Sequence, residues 1–306
     1  MSSLDLNNWS GKKMANILLS KAYESVDMCK AQRLKECASW LEFKVLEDGQ
    51  RKLSKANFCR VRLCPVCSWR RALKVFSQMC SIMGYLQKNG GCDKYHYLFL
   101  TLTVKNCSGQ DLCNNLDKLN YGWKLFSKSK LFSSTVVGWY KGLEVTHNID
   151  INSKDYDTFH PHFHCVLVVK KSYFGKCYVL HKDWQSLWAK CMKLDYNPQV
   201  NIKSFRSNIV KGLKEVTKYS VKSSDYIIPD DWDLTVDTVK ILDKALDKRR
   251  FVSFGGLLKD IHRQLRLDDE ESGNLINLRD NLEQVQIIDI IRYCFCTGYN
   301  QYIETK

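Results

Sequence analysis

Two apolar-rich segments, VVGWYKGLEVTHN (Val136 to Asn148) and FHPHFHCVLVV (Phe159 to Val169), flank one polar stretch, NIDINSKDYDT. Both are rich in β-branched and aromatic residues, and a short polar connection between two such runs predicts a long antiparallel hairpin. A lone hairpin is marginal in water, so this pair requires further strands and a packed face. HYLFLTLTVKN (His96 to Asn106) supplies another strand signal. Between the strands, DLCNNLDKLNYGWKLFSKS repeats its apolar residues at helical spacing, at Leu112, Leu116, Leu119, Trp123 and Phe126. Residues 183 to 194 and about 206 to 222 also read as helices. Strands that alternate with helices yet pair as a hairpin predict an α+β fold with a mainly antiparallel sheet.

The second segment carries chemistry. Side chains two apart on a strand share a face, with roots about 7 Å apart. His162 and His164 therefore point the same way and can converge on one metal ion, or stand as two histidines satisfied by their surroundings. His160 has the same parity, and Pro161 is expected to turn it away. Glu144 lies inside the preceding strand, where an unpaired buried carboxylate would be costly. In a hairpin it can sit beside the histidines; on an outward face it would meet solvent.

Further along, VKGLKEVTKYSVKSSDY sets Glu215 four residues before Tyr219 and Lys222 three after it, which on a helix is one face. A tyrosine hydroxyl, with a pKa near 10, is a weak nucleophile at neutral pH. A neighbouring cation and a metal-polarised phosphate would both activate it.

The chain of 306 residues carries 47 Lys and Arg against 33 Asp and Glu, a formal charge of +14, which attracts polyanions, nucleic acid first among them. Neither a signal-peptide pattern nor an apolar run long enough to span a membrane is visible, so the expected location is the cytoplasm. Fourteen cysteines there do not imply a disulfide framework. Most read as small core residues, but FCRVRLCPVCSWRR groups Cys59, Cys64 and Cys67, the last two at metal-knuckle spacing. Three blocks are expected: residues 1–90, helices around this knuckle; 91–228, the sheet and its chemistry; and 229–306, a helical C-terminal region.

Together these motifs resemble the rolling-circle plasmid replication initiators of Gram-positive-type bacteria, in the HUH endonuclease superfamily. FLTLTVKN is similar to the first motif strand of that group, HPHFHCVLVV to its histidine–hydrophobe–histidine strand, and EVTKYSVK to its nucleophile helix. ANFCRVRLCPVCSWRR, preceded by KECASWLEF, resembles its cysteine-rich region. The resemblance spans about residues 30 to 260, and its strength lies in the order of the motifs.

The resemblance implies an antiparallel sheet of about five strands with flanking helices. It implies a catalytic Mg²⁺ or Mn²⁺ on His162, His164 and Glu144. Tyr219 would attack a phosphodiester at the double-strand origin, leaving a 5′-phosphotyrosyl link and a 3′-OH primer; Glu215 would activate water for the terminating cut. Structural Zn²⁺ would sit on Cys59, Cys64, Cys67 and Cys37, with Cys29 as the rival fourth ligand. Lys211, Lys214, Lys218, Arg70 and Arg71 would contact DNA, with Arg60 and Arg62 beside the knuckle. Implied partners are origin DNA, single- and double-stranded, with a host helicase and polymerase, and no membrane. Alternatives are an HUH transposase or relaxase, in which Tyr226 could be a second nucleophile, or a zinc-knuckle DNA-binding regulator without catalysis.

Overall fold

The computed structural model describes residues 5–175, 177–204, 212–213, 216–217, 221–278 and 287–305, the Cys92 side chain excepted. Among them the strands are, in chain order, β1 (Trp40–Leu46), β2 (Arg51–Ala56), β3 (Tyr95–Thr103), β4 (Val136–Asn148), β5 (Thr158–Lys170), β6 (Val200–Ser204), β7 (Val252–Gly256), β8 (Ile287–Cys296) and β9 (Gln301–Thr305). They form two antiparallel sheets, ordered β6-β3-β5-β4-β7 and β2-β1-β8-β9. The expected α+β class and five-stranded antiparallel sheet are borne out; the second sheet was not foreseen. Contacts group the chain into two compact units, Met1–Lys74 with Lys222–Asp247 and Ser272–Lys306, and Val75–Val221 with Lys248–Glu271. This interleaving does not follow the consecutive blocks read from the sequence.

In the five-stranded unit, β4 and β5 form the expected hairpin, with Asn148 opposite Thr158 at its loop end. Asp157 closes the loop at φ 53°, in the left-handed region that Asp tolerates better than most residues, with its N–H donating to Asn148 O at 2.8 Å. Pro161 does not break β5. Phe159, two residues earlier, directs its N–H to Cys107 O, away from β4. Position 161 therefore faces the same side, just beyond the last β3 pair at His162, so the ladder with β4 loses no donor.

The two faces of this sheet pack differently. On one, Val166 and Val168 of β5 and Tyr140 of β4 join Met79, Ile82 and Leu86 of the helix Pro65–Lys88. Leu213 and Val216 belong to the same cluster. On the other face, Phe163 meets Trp123 and Trp188 at ring centroid distances of 5.9 and 6.5 Å, and Phe126 packs on both Trp184 and Trp188. The helix Leu112–Lys128 buries the five apolar residues its spacing singled out.

In the other unit, the expected helical region around the knuckle contains the β1–β2 hairpin. The helix Met28–Glu36 stops where Cys37 turns extended, at ψ 125°, and Lys13 Nζ holds the carbonyls of Lys35 and Cys37 at 2.6 and 2.7 Å. The helical reading beyond residue 229 also needs correction. Helices Trp232–Leu246 and Leu257–Gln264 are present, but β7, β8 and β9 are strands. IIDIIRYCFC is β-branched and aromatic, suited to a pleated surface, and it finds a partner in β1. Among the described residues no helix is long and apolar enough to cross a membrane.

Candidate metal centres

The first centre is fixed by ladder register. Glu144 on β4 lies opposite His162 on β5, and Gly142 opposite His164. Two-residue periodicity then places both imidazoles and the carboxylate on one face of the two inner strands. Glu144 Oε2 is 2.9 Å from His164 Nε2 and 3.5 Å from His162 Nε2, and the two Nε2 atoms are 3.1 Å apart. Burial pushes the Glu144 carboxyl up, but the adjacent His162 and His164 rings outweigh it and hold the group well below the ordinary carboxylate range.

The histidines are held from behind. His162 Nδ1 lies 3.0 Å from His160 O, and a carbonyl only accepts, so Nδ1 carries the proton and Nε2 presents a lone pair. Thr101 of β3 sits opposite His164 with its Oγ1 3.2 Å from His164 Nδ1, and Phe99 stacks on that ring at 5.5 Å. Sequence reasoning missed Thr101. Its signal was the FLTLT alternation, which gives Thr101 and Thr103 one parity.

These donors fit a divalent ion. Bonds of 2.0–2.1 Å meeting at right angles separate neighbouring donors by about 3.0 Å, close to the edges of the Glu144–His162–His164 triangle. Three donors on one side of an octahedral ion leave its other positions for water or phosphate oxygen.

The second centre joins Cys37, Cys59, Cys64 and Cys67, all buried, with sulfur atoms within 4.8 Å of one another. Cys37 Sγ lies 3.6 Å from Cys64 Sγ and 3.7 Å from Cys67 Sγ; Cys59 and Cys67 are 3.8 Å apart. A zinc tetrahedron with 2.3 Å bonds has edges of about 3.8 Å. Backbone N–H groups of Cys59, Arg60 and Cys67 point at Sγ of Cys37, Cys67 and Cys64 at 3.3, 3.3 and 3.4 Å, as suits anionic sulfur. Hydrogen bonds from the three neighbouring thiols hold Cys67 well below the usual thiol range. Cys29, the rival ligand, is exposed and outside the group.

Several expected site residues fall elsewhere. Arg70 is buried, not turned to DNA. Its guanidinium donates to Leu275 O and Ile276 O at 2.8 Å each and lies over the rings of Trp9 and Trp69, and burial lowers its pKa to about 10. Arg71 is buried too and donates to Arg60 O at 3.2 Å. Both brace the protein interior, which is why they are withdrawn from solvent. Lys222 is not helical: its backbone is extended at ψ 149°, and its N–H donates to Asp225 Oδ2. Tyr226 is buried and donates its hydroxyl to Leu63 O at 2.6 Å, a structural role. Tyr219, Glu215, Lys211, Lys214 and Lys218 lie outside the described residues.

Comparison with known proteins adds an independent finding. A family model described as Replication protein matches residues 50–301. A protein named Protein rep from Bacillus amyloliquefaciens is 36% identical over 308 residues, covering 91% of this chain and 88% of that one. A Protein rep from Streptococcus pneumoniae serotype 2 (strain D39 / NCTC 7466) is 33% identical, covering 98% and 92%. One from Lentilactobacillus hilgardii is 33% identical, covering 93% and 90%. No solved structure matches the chain.

Proposed function

The chain belongs to the Replication protein family, and on that premise we propose that it initiates rolling-circle replication of a plasmid as an HUH-type endonuclease. The observation that carries the reading is the convergence of Glu144, His162 and His164 on one point of the central strands. These three residues would hold Mg²⁺ or Mn²⁺, which when bound supplies charge to polarise the scissile phosphate.

In this reading Tyr219 supplies the nucleophile. Its oxygen bonds to phosphorus as the bond to the 3′ oxygen breaks; the phenol proton is released and the 3′ oxygen gains one. The products are a 5′-phosphotyrosyl link and a 3′-OH that primes synthesis. Support comes from Val216, three residues before Tyr219, which packs in the cluster on the same sheet face as the histidines. Tyr140 Oη donates to Val216 O at 3.3 Å. Glu215 takes the proton from water in the terminating cut, because the single nucleophile is already spent. The Cys37, Cys59, Cys64 and Cys67 group holds structural zinc. Lys211, Lys214 and Lys218 bind the strand through phosphates, and a host helicase and polymerase extend the primer in the cytoplasm.

The test is nicking of supercoiled plasmid carrying the chain's own replicon. Nicking should require Mg²⁺ or Mn²⁺, vanish in Tyr219→Phe, and persist in Glu215→Ala, whose replication products should exceed one plasmid unit. Duplex binding without nicking under any divalent ion would favour a DNA-binding regulator instead.

A further inference from the structure

The four-stranded sheet packs its inward face, and among the described residues several side chains of its outward face are exposed. Inward, Phe43 of β1 and Tyr293 of β8 pack edge to face at 6.0 Å, with Trp9 against Phe43 at 6.4 Å. The register fixes what points outward. Lys44 lies between Lys52 and Ile290, Glu42 between Lys55 and Arg292, and Trp40 beside Cys294, which neighbours Ile303 of β9. At these positions Ile290, Ile303 and Trp40 are 52%, 39% and 38% exposed, and Ile288, at the register shift just before them, is 58% exposed. An apolar array of this kind on one face marks an interaction surface.

Charge selects the partner. Lys44, Lys52, Lys55 and Arg292 surround the apolar side chains, against one carboxylate, Glu42, at the described outward ladder positions. That carboxylate is clamped by Lys55 Nζ at 3.3 Å and Arg292 Nε at 3.0 Å, which leaves the face positive. A second copy would bring the same cations against these in a chain already at +14. A polyanion has the opposite sign. A platform for a single strand needs rings for successive bases to stack on, and Trp40 is the ring at the described outward positions of these strands. Branched aliphatic side chains rimmed by cations suit the sugar edges and phosphates of a duplex groove.

We propose that the outward face of the β2-β1-β8-β9 sheet docks duplex DNA, with Lys44 and Lys52 on phosphates and Ile288 and Ile290 against the groove. This rests on the DNA-directed reading above but on neither metal centre.

The experiment measures fluorescence anisotropy of the full chain on a random-sequence 30-base-pair duplex, and on one of its strands alone, across a range of salt. Lys44→Gln/Lys52→Gln should reduce the slope of log affinity against log salt by about 2 and weaken duplex binding ~50-fold at 0.1 M salt. Ile288→Thr/Ile290→Thr keeps β-branched residues, should weaken duplex binding with an unchanged slope, and decides the matter if the lysine pair fails to fold. Wild-type affinity and slope in folded variants would overturn the assignment. So would variants that lose only single-strand binding, or an Ile pair that abolishes self-association while duplex binding persists. Wild-type protein that nicks but binds no duplex also overturns it and leaves the nicking reading standing; duplex binding through this face without nicking does the reverse.

Discussion

Glu144 and His162 are direct register partners across the β4–β5 ladder, with Oε2 and Nε2 3.5 Å apart. The triangle they form with His164 is thus set by backbone pairing in the middle of a sheet, where rigid elements hold donors more closely than loops do.

From this follows a metal-binding prediction. Mn²⁺ should bind more tightly than Mg²⁺, because imidazoles favour the softer ion. His162→Ala/His164→Ala should weaken Mn²⁺ by more than about 100-fold, since loss of outer-shell partners alone costs 10–100-fold. Calorimetric titration would read both; equal Mn²⁺ affinity in the double variant would remove these residues as ligands.

Thr101 should act by orientation. With an ion on Nε2, His164 carries its hydrogen on Nδ1, 3.2 Å from Thr101 Oγ1, which can accept it. Thr101→Val should weaken Mn²⁺ binding about 10-fold or more with little change in Tm, and Thr101→Ser should restore it. If valine binds Mn²⁺ as the native chain does, Thr101 has no orienting role.

How much of this was legible in the sequence depends on range. Glu144, His162 and His164 were readable because a polar loop joins their strands locally, so parity alone puts them on one face. Cys59, Cys64 and Cys67 were readable from spacing; Cys37 needed the resemblance, being 27 residues from Cys64. The second sheet was not readable, because β8 pairs with β1 across most of the chain and neither segment announces the other. Arg70 misled for a related reason. Its burial depends on the carbonyls of Leu275 and Ile276, some two hundred residues away, and charge beside a knuckle suggests DNA until those partners are known.

Zinc should prove structural. Purified protein should retain about one zinc through dialysis against EDTA, by atomic absorption. Cys64→Ser should lose it, with Tm falling by roughly 10 °C or more. A folded, zinc-free native chain would exclude this role.

Lys141 offers a pH signature. Its Nζ is buried, 4.1 Å from the Phe163 ring and 3.0 Å from Asn120 Oδ1, and burial lowers its pKa to about 8 from 10.5. Above pH 8 the folded state has released this proton and the unfolded state still binds it. The group's contribution to stability therefore rises with pH between about 8 and 10.5, by on the order of 3 kcal/mol. Denaturant titrations should show Lys141→Met lacking that rise relative to the native chain; parallel pH profiles would place the charge in solvent.

The central claim is that Tyr219 is the nucleophile served by the Glu144–His162–His164 centre. The most direct measurement is peptide mass spectrometry after incubation with single-stranded oligonucleotides tiling the replicon that encodes the chain, with Mn²⁺ or EDTA. The expected result is a 5′-phosphonucleotide mass on the Tyr219 peptide with Mn²⁺. It should be absent with EDTA, in Tyr219→Phe and in His162→Ala/His164→Ala. An adduct on another residue, or cleavage of an oligonucleotide with no adduct, would contradict it.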